Sequence, residues 1–506
     1  MVRPTRSCCV MMSDQATLSS HCQQADPAFP LDGQRPARLT FPRRYLRAAL
    51  VVYGGVVIRR FLVVVLVVAF GTGCGSQWKR VGTDDLGPTT EETLTDVFNP
   101  QNVYRGMGRL TAPEPLPFIG HVVFADGPAD SVIAVVALSL ENRSLTFQRE
   151  DDTFVARYRV EMRLQQDGEP PIRLARDELV RVPTFQETLR NDESVLFQQS
   201  FHLTPGRYTV AIAVSDRASP AQSRAQAVYQ VPAFGPGSTS EPMIVYQVTG
   251  RDSPRQPLSI LLNPRGAVSY GGDTLLAYIE GYGFPKPTKV PFEVRDQFGK
   301  VVYSDSLLFQ GVHPVESHII RLAPDSQPLG EITLAIGSAV DERTTTALVS
   351  FSQGWVLTNY DEMLSLLRYF GRDEWVDSLR RTPEAQRSTV WREFWVATDP
   401  NRATPENEAL DMYFARVQSA NRLFRNEGVP GWRTDRGEVY ITLGQPDDVF
   451  DNRTEAEGRY IVWSYTQLRL DLFFEDLARF GHYRLTPQSR ADYSRVLVRV
   501  RRQGIG

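Results

Sequence analysis

The last third of the chain holds the residue types that acid–base chemistry requires. Asp435 and Arg436 follow Gly431-Trp432-Arg433-Thr434, and the carboxylates Asp399, Glu406 and Glu408 stand at expected helix starts upstream. Gathered into one cleft, these groups would bind a polar ligand or work as an acid/base pair. The same residues also have a purely structural reading. Thr434-Asp435-Arg436-Gly437 makes a tight turn, in which Thr and Asp side chains accept backbone N–H groups and Gly437 takes a positive φ. Gly431 is then a helix-to-strand hinge and Trp432 a plug in the core beneath it. Turn residues at such a junction need no ligand, so the structural reading is preferred.

Other chemistry finds little support. The six histidines are His21, His121, His202, His313, His318 and His482, with no HExxH or paired-ligand spacing. The sequence has no GxSxG elbow and no Walker loop, and Gly281-Tyr282-Gly283 is a lone GxG at a β-turn. No catalytic residue is assigned, and no metal or cofactor is expected. Tyr278, Tyr282 and Phe284 lie beside Gly271-Gly272 and Pro285-Lys286-Pro287. They are either an exposed patch suited to a sugar or a protein, or alternate core residues of a strand.

The one further reactive group is a thiol. The four cysteines are Cys8, Cys9, Cys22 and Cys74, so the chain beyond 74 can form neither a disulfide nor a thiolate metal site. Arg59-Arg60 precede ten apolar residues, Phe61 to Phe70, and then Gly71-Thr72-Gly73-Cys74. That is a charged n-region, an apolar h-region and a small-residue cleavage site. As a helix, Phe61 to Gly73 would span about 20 Å, short of a hydrocarbon core of about 30 Å. The stretch resembles a bacterial lipoprotein signal, although Gly71 stands where Leu is usual. An ordinary signal peptide followed by an incidental cysteine is the alternative. The resemblance implies a diacylated Cys74 and a permanent membrane anchor. Residues 1–56 are Arg- and Pro-rich and fit this picture badly. They are expected to be a spurious or disordered extension, with the true start near Val56 or Val57 and the signal peptide over 57–73. Gly75-Ser76 lacks an inner-membrane-retention aspartate and Lys79-Arg80 disfavours surface display, so the expected location is the outer membrane, facing the periplasm.

The elements that must position these groups follow from length and periodicity. A chain of 506 residues, 42% hydrophobic and 23% charged, has material for about three globular domains. Beyond residue 73 it carries 47 basic and 56 acidic residues, a net of −9, with its arginines scattered. That distribution argues against nucleic acid as a partner. Residues 74–114 read as a tether. Residues 115–240 and 243–352 read as two tandem immunoglobulin-like β-sandwiches. In Ala156 to Leu164 apolar and charged residues alternate, and Val132–Leu140 and Val195–Phe201 are further strands. Gly206-Arg-Tyr-Thr-Val-Ala-Ile212 recurs as Gly330-Glu-Ile-Thr-Leu-Ala-Ile336, and a hairpin is expected around Asp296–Gly299. Residues 353–506 read as an α+β domain, helices first and then a small antiparallel sheet. Asn359, Thr382-Pro383 and Thr404-Pro405 open helices, and Leu410, Tyr413, Phe414, Val417, Ala420 and Phe424 form one apolar stripe. Val439–Leu443, Tyr460–Tyr465 and Leu468–Phe474 are the expected strands.

With these elements in place, residues 355–505 resemble the GWxTD domain, which occurs in bacterial envelope proteins, often lipoproteins. Gly431, Trp432, Thr434, Asp435, Arg436 and Gly437 carry the likeness, with Gly444, Pro446 and Asp447. Upstream, Phe394-Trp395, Asp399-Pro400, Asn407-Glu408, Arg416 and Asn421 fit the same pattern. The resemblance implies a domain and a location and no established activity. The expected function is an envelope lipoprotein acting as a non-catalytic binding or scaffold module for an envelope protein or cell-wall component. The alternative is a periplasmic hydrolase-like enzyme using Asp435 with Asp399 or Glu406.

Overall fold

The computed structural model describes residues 8–11, 100–190, 195–352, 354–402, 404, 407–425, 429–452, 459–477 and 479–503. The signal segment, Cys74, most of the tether and Glu406 lie outside the described residues. The chain is mostly β-sheet, followed by a helical region and a small antiparallel sheet.

Ten described strands precede residue 232: β1 (Cys8–Met11), β2 (Leu110–Ala112), β3 (Phe118–Asp126), β4 (Val132–Leu140), β5 (Gln148–Glu150), β6 (Thr153–Gln166), β7 (Ile172–Val182), β8 (Val195–Leu203), β9 (Gly206–Asp216) and β10 (Gln222–Val231). They make two antiparallel sheets, β1-β8-β4-β3-β2 and β10-β9-β6-β7, with β5 beside the start of β6. The alternation in β6 is realised: Ala156, Tyr158, Val160, Met162 and Leu164 are buried while Arg157 and Arg163 are exposed. Those buried residues share one core with Val136 and Leu138 of β4 and Val210 and Ile212 of β9.

Strand β4 does not alternate, and all nine of its residues are buried. The reason is a third sheet. Val136 and Leu138 face the second sheet, whereas Ile133, Val135 and Ala137 pack on Met243, Val245, Ile260, Leu262 and Tyr278. A strand covered on both faces reads as a continuous apolar run.

The next ten strands are β11 (Ser238–Thr239), β12 (Met243–Thr249), β13 (Ser259–Leu262), β14 (Ala267–Ser269), β15 (Leu275–Tyr282), β16 (Thr288–Arg295), β17 (Val301–Phe309), β18 (Val315–Leu322), β19 (Gly330–Ile336) and β20 (Arg343–Ser350). The third sheet runs β13-β12-β15-β18, with β11 also on β15. The fourth runs β14-β20-β19-β16-β17, its β14–β20 pair being parallel. The hairpin expected around Asp296–Gly299 joins β16 to β17. Strands β9 and β19, which share the repeated heptapeptide, each open at a positive-φ glycine and each pair with the strand that follows. Tyr278, Tyr282 and Phe284 are 0, 3 and 7% exposed, so of their two readings the core holds and the surface patch does not. Both tyrosine hydroxyls donate to Glu280, which is fully buried and paired through two 2.7 Å bonds with Arg251.

Two short helices, α1 (Pro100–Gly106) and α2 (Phe185–Thr188), belong to the β region. The last domain contains α3 (Tyr360–Leu366), α4 (Asp373–Arg381), α5 (Arg387–Thr398), α6 (Glu408–Phe424), α7 (Asp435–Leu443), then β21 (Asp448–Asn452), β22 (Arg459–Tyr465), β23 (Leu470–Asp476), β24 (Arg484–Leu485) and α8 (Pro487–Gln503). The cap at Asn359 forms as expected, accepting from Glu362 N at 3.0 Å, and all six residues of the α6 stripe are buried. Residues Val439–Leu443 are a correction, since they form the end of α7 and not a strand. The four-stranded sheet begins at Asp448 instead. One apolar cluster runs from Phe292 and Ile336 of the fourth sheet through Trp391, Phe414 and Trp432 to Phe474 of β23.

Candidate functional site

The Gly431–Gly437 segment is where α6, α7, β24 and α8 meet. After α6 the chain makes one 3₁₀ turn over Gly431–Arg433, held by Gly431 N donating to Asn421 Oδ1 at 3.0 Å. A Cβ on Gly431 would lie 2.4 Å from Ala420 O, and one on Gly437 would lie 2.0 Å from Gly431 O. Thr434 caps α7: its Oγ1 accepts from Gly437 N at 2.9 Å and donates to Gly431 O at 2.8 Å. Here the expected tight turn is corrected. The segment is a helix N-terminus, and Gly437 lies within the helix. Its missing side chain is required by a backbone crossing and not by a positive φ.

Asp435 faces across the domain. Its Oδ2 accepts from Leu485 N at 2.8 Å, and its Oδ1 is 2.6 Å from Arg490 Nη2. The other arm of Arg490, Nη1, reaches Glu438 Oε2 at 2.9 Å. Burial pulls the Arg490 guanidinium down, but Glu438 and Asp435 outweigh it and hold it above its ordinary pKa. Burial, and then Glu438, raise the Tyr493 hydroxyl, which shares a 2.9 Å hydrogen bond with Thr442. Trp432 is the expected plug, 1% exposed, edge-on to Tyr369 and covered by Arg433 at 4.8 Å. Arg436 lies over the rings of Phe424 and Tyr483 at 4.9 and 4.6 Å. The second part of the motif is a joint as well. Gly444 ends α7 at φ 83, its carbonyl accepts from Tyr465 OH at 2.9 Å, and Asp447 Oδ2 accepts from Thr466 N.

The upstream carboxylates form a second group. Asn407, with no exposed surface, caps α6 through Leu410 N, and its Nδ2 donates to Trp395 O and Thr398 Oγ1 at 2.8 and 2.9 Å. The expected start at Thr404-Pro405 therefore gives way to Asn407. Asp399 accepts from Asn401 N at 2.9 Å, and Glu408 accepts from Thr404 Oγ1 at 2.5 Å. Burial, with the nearby Glu408, raises the Asp399 pKa. Glu408 begins α6 and Asn421, which holds Gly431, comes thirteen residues later, about 20 Å along the axis. The structure thus brings Asp399, Asn407 and Glu408 together and Gly431, Trp432, Thr434, Asp435 and Arg436 together, but the two groups sit at opposite ends of α6. The cleft expected to join them is not formed by the described residues. Arg490, Glu438 and Tyr493 were not singled out from sequence. Glu438 lies beside the motif, but Arg490 and Tyr493 reach it across about fifty residues, a distance at which spacing carries no signal.

Comparison with known proteins agrees with the resemblance. Residues 336–495 match the GWxTD domain, so the stretch begins inside β19, where the apolar core already runs from the fourth sheet into the helices. No curated protein matches the chain. Among solved structures, dimeric latent PorU from Porphyromonas gingivalis aligns at 11% identity and a TM-score of 0.20, over 49% of this chain and 21% of that one. Trypsin-activated alpha-2-macroglobulin from Escherichia coli aligns at 10% and 0.16, over 47% and 17%. The β-glucuronidase of Parabacteroides merdae aligns at 7% and 0.16, over 49% and 36%. The chain thus spans between about a sixth and about a third of the length of these proteins, at scores that establish no shared topology.

Proposed function

With residues 336–495 a GWxTD domain, we propose that this chain is an envelope lipoprotein whose last domain is a non-catalytic binding or scaffold module. Cys74 carries the lipid, the membrane is the outer one, and the folded body faces the periplasm. The β region acts as a spacer or binding module built from immunoglobulin-like sandwiches. The first and second sheets, sharing one core, support that reading.

The observation that carries the proposal is how the motif is used. Thr434, Asp435 and the two glycines are committed to a cap, an ion pair, a backbone bond and a helix crossing. The hydrolase alternative needs Asp435 beside Asp399 or Glu406, and the described Asp399 lies at the other end of α6. What the domain offers a partner instead is the exposed aromatic and aliphatic surface of its sheet and following loop, where Phe450, Phe473, Leu477 and Phe480 are 61, 44, 84 and 79% exposed.

The anchor is tested by the mass of the mature N-terminal peptide from native membranes, expected to begin at Cys74 and to carry a diacylglyceryl or triacyl group. An unmodified peptide starting elsewhere removes the anchor. The module is tested with photo-crosslinkers at Phe450 and Phe480, which should trap one discrete envelope component that a crosslinker at Arg157 does not. Hydrolysis of envelope peptide or glycan by the purified chain, lost in a folded Asp435→Asn variant, would reverse the assignment.

A further inference from the structure

Strand alternation gathers arginines that are scattered along the sequence. In β6 the residues between the buried ones point away from the core, and the same holds for β7, β9 and β10, so the second sheet has one open face. The first sheet lies between the second and the third, which leaves this face at the end of the stack. Arg157, Arg159 and Arg163 of β6, Arg173 and Arg181 of β7 and Arg224 of β10 stand on it. Its strand carboxylates are Glu150, Glu161 and Asp177, each held by Arg157 or Arg159. Arg163, Arg173 and Arg224 make no ion pair among the described residues.

Left to itself this arrangement is unfavourable. Arg163 is directly opposite Arg173 on one side and Ala211 on the other, and Ala211 is opposite Gln226. That row holds two cations and no carboxylate, and like charges directly opposite one another in a sheet repel. An anion placed over the pair removes the cost. Access is open, because β9 contributes Thr209, Ala211, Ala213 and Ser215 to the face, and the guanidiniums on either side rise from a shallow floor. From Arg157 to Arg163 the face runs about 20 Å along the strands, and its four strands span about 14 Å across. Positive charge therefore covers a plane, in a chain whose part beyond residue 73 is net negative.

We propose that this face docks on the phosphate headgroups of an anionic lipid bilayer, with Arg163 and Arg173 sharing a phosphate. A linear polyanion laid along β6 or β7 meets Glu161 or Asp177, whereas lipids move laterally and gather their phosphates over the unpaired arginines. Residues 74–99, before α1, reach at most about 90 Å, so a lipid on Cys74 keeps the face near a membrane. The proposal rests on the anchor reading for that proximity alone.

The test places a photo-crosslinker at Gln226, on the face, or at Val340, in the β19–β20 turn, of the chain recovered from native membranes. Each protein is mixed with vesicles of phosphatidylcholine, with or without phosphatidylglycerol. Lipid adducts at Gln226 should form with phosphatidylglycerol, fail without it and disappear in high salt, and Val340 should give none. Arg163→Gln together with Arg173→Gln should lower the ratio of lipid-bound to free face about thirtyfold, about fivefold for each arginine. Both side chains are exposed, so the variant should fold. Arg495→Gln with Arg502→Gln makes the same change of charge on α8 and should leave the ratio unaltered. Retention on phosphatidylcholine vesicles scores the anchor separately: a chain that washes off has no lipid on Cys74, while its adducts with phosphatidylglycerol still decide the face. Absence of lipid adducts at Gln226 overturns the proposal, as do equal adducts at Val340 or a yield that the two glutamines leave unchanged. In intact envelopes, a glycan adduct at Gln226 in place of a lipid one gives the face to a saccharide polyanion and overturns it too.

Discussion

A methyl group at position 437 has nowhere to go. It would sit 2.0 Å from the carbonyl of Gly431, and neither atom belongs to a side chain that can turn away. Gly437→Ala should therefore cost about 3 kcal/mol, the upper range for overpacking, whereas Thr434→Ala should cost about 1 kcal/mol as a lost helix cap. Urea unfolding of the two variants checks the order, and a Gly437→Ala variant as stable as the parent would remove the crossing from the account. At this scale much was legible. Trp432 as a plug and Thr434 as an acceptor of a backbone N–H follow from residue type alone. The role of Gly437 did not, because a glycine needed for φ and one needed for a close approach look alike until the opposing backbone is in place.

Helix α7 shows where reading by element stops. Val439-Tyr-Ile-Thr-Leu443 is a β-branched and aromatic run with strand propensity, yet it is helical because Val439 and Ile441 are buried in the core behind a capped N-terminus. Helix α6, whose stripe has the helical period, was read correctly along its length and misread only at its start. There, Asn407 joins two helices: it caps α6 and donates to the Trp395 carbonyl and the Thr398 hydroxyl in the last turn of α5. Asn407→Ala should cost about 2 kcal/mol, and Asn407→Asp should recover the cap while removing the side-chain amide donor to Trp395 O and Thr398 Oγ1. Recovery of full stability by Asp, measured as the urea midpoint, would show that the cap alone matters. Nearby, Asp399 has its pKa raised in the folded state by burial and by Glu408. Its contribution to stability is thus greatest when it is protonated, below the usual carboxylate value, and is lost as pH rises through the folded value. Asp399→Asn should stabilise the protein at pH 7, with the difference closing as pH falls toward about 4. A midpoint gap that stays constant over that range would contradict the shift.

For the whole molecule, the sequence suggests modules in a row and the structure stacks them. Strand β4 supplies one face to the first β core and the other to the third sheet, and the fourth sheet shares its core with the helices. The continuous apolar run of β4 was the visible sign of this, but a run of that kind does not say what covers it. Around the joint, Arg251 donates to Glu280 and also, at 2.6 Å, to the carbonyl of Asp126 in β3, while Asp126 N donates to Tyr282 OH. Arg265 Nε reaches Ser139 at 2.9 Å, and Gln198 bonds both Ile260 O and Leu262 N. An interface with an apolar centre and a bonded polar rim does not behave as a hinge. The β regions should therefore melt together with the last domain, in one calorimetric transition. Arg251→Met leaves the carboxylate of Glu280 buried with its two tyrosine donors and no counter-charge, at a cost of about 3–5 kcal/mol. Because no sheet in the stack has a core of its own, that loss should lower the single transition as a whole. An early transition that splits off and carries the first β region alone would mean that the joint is a contact between independent modules, and that β4 owes its buried outer face to proximity and not to folding.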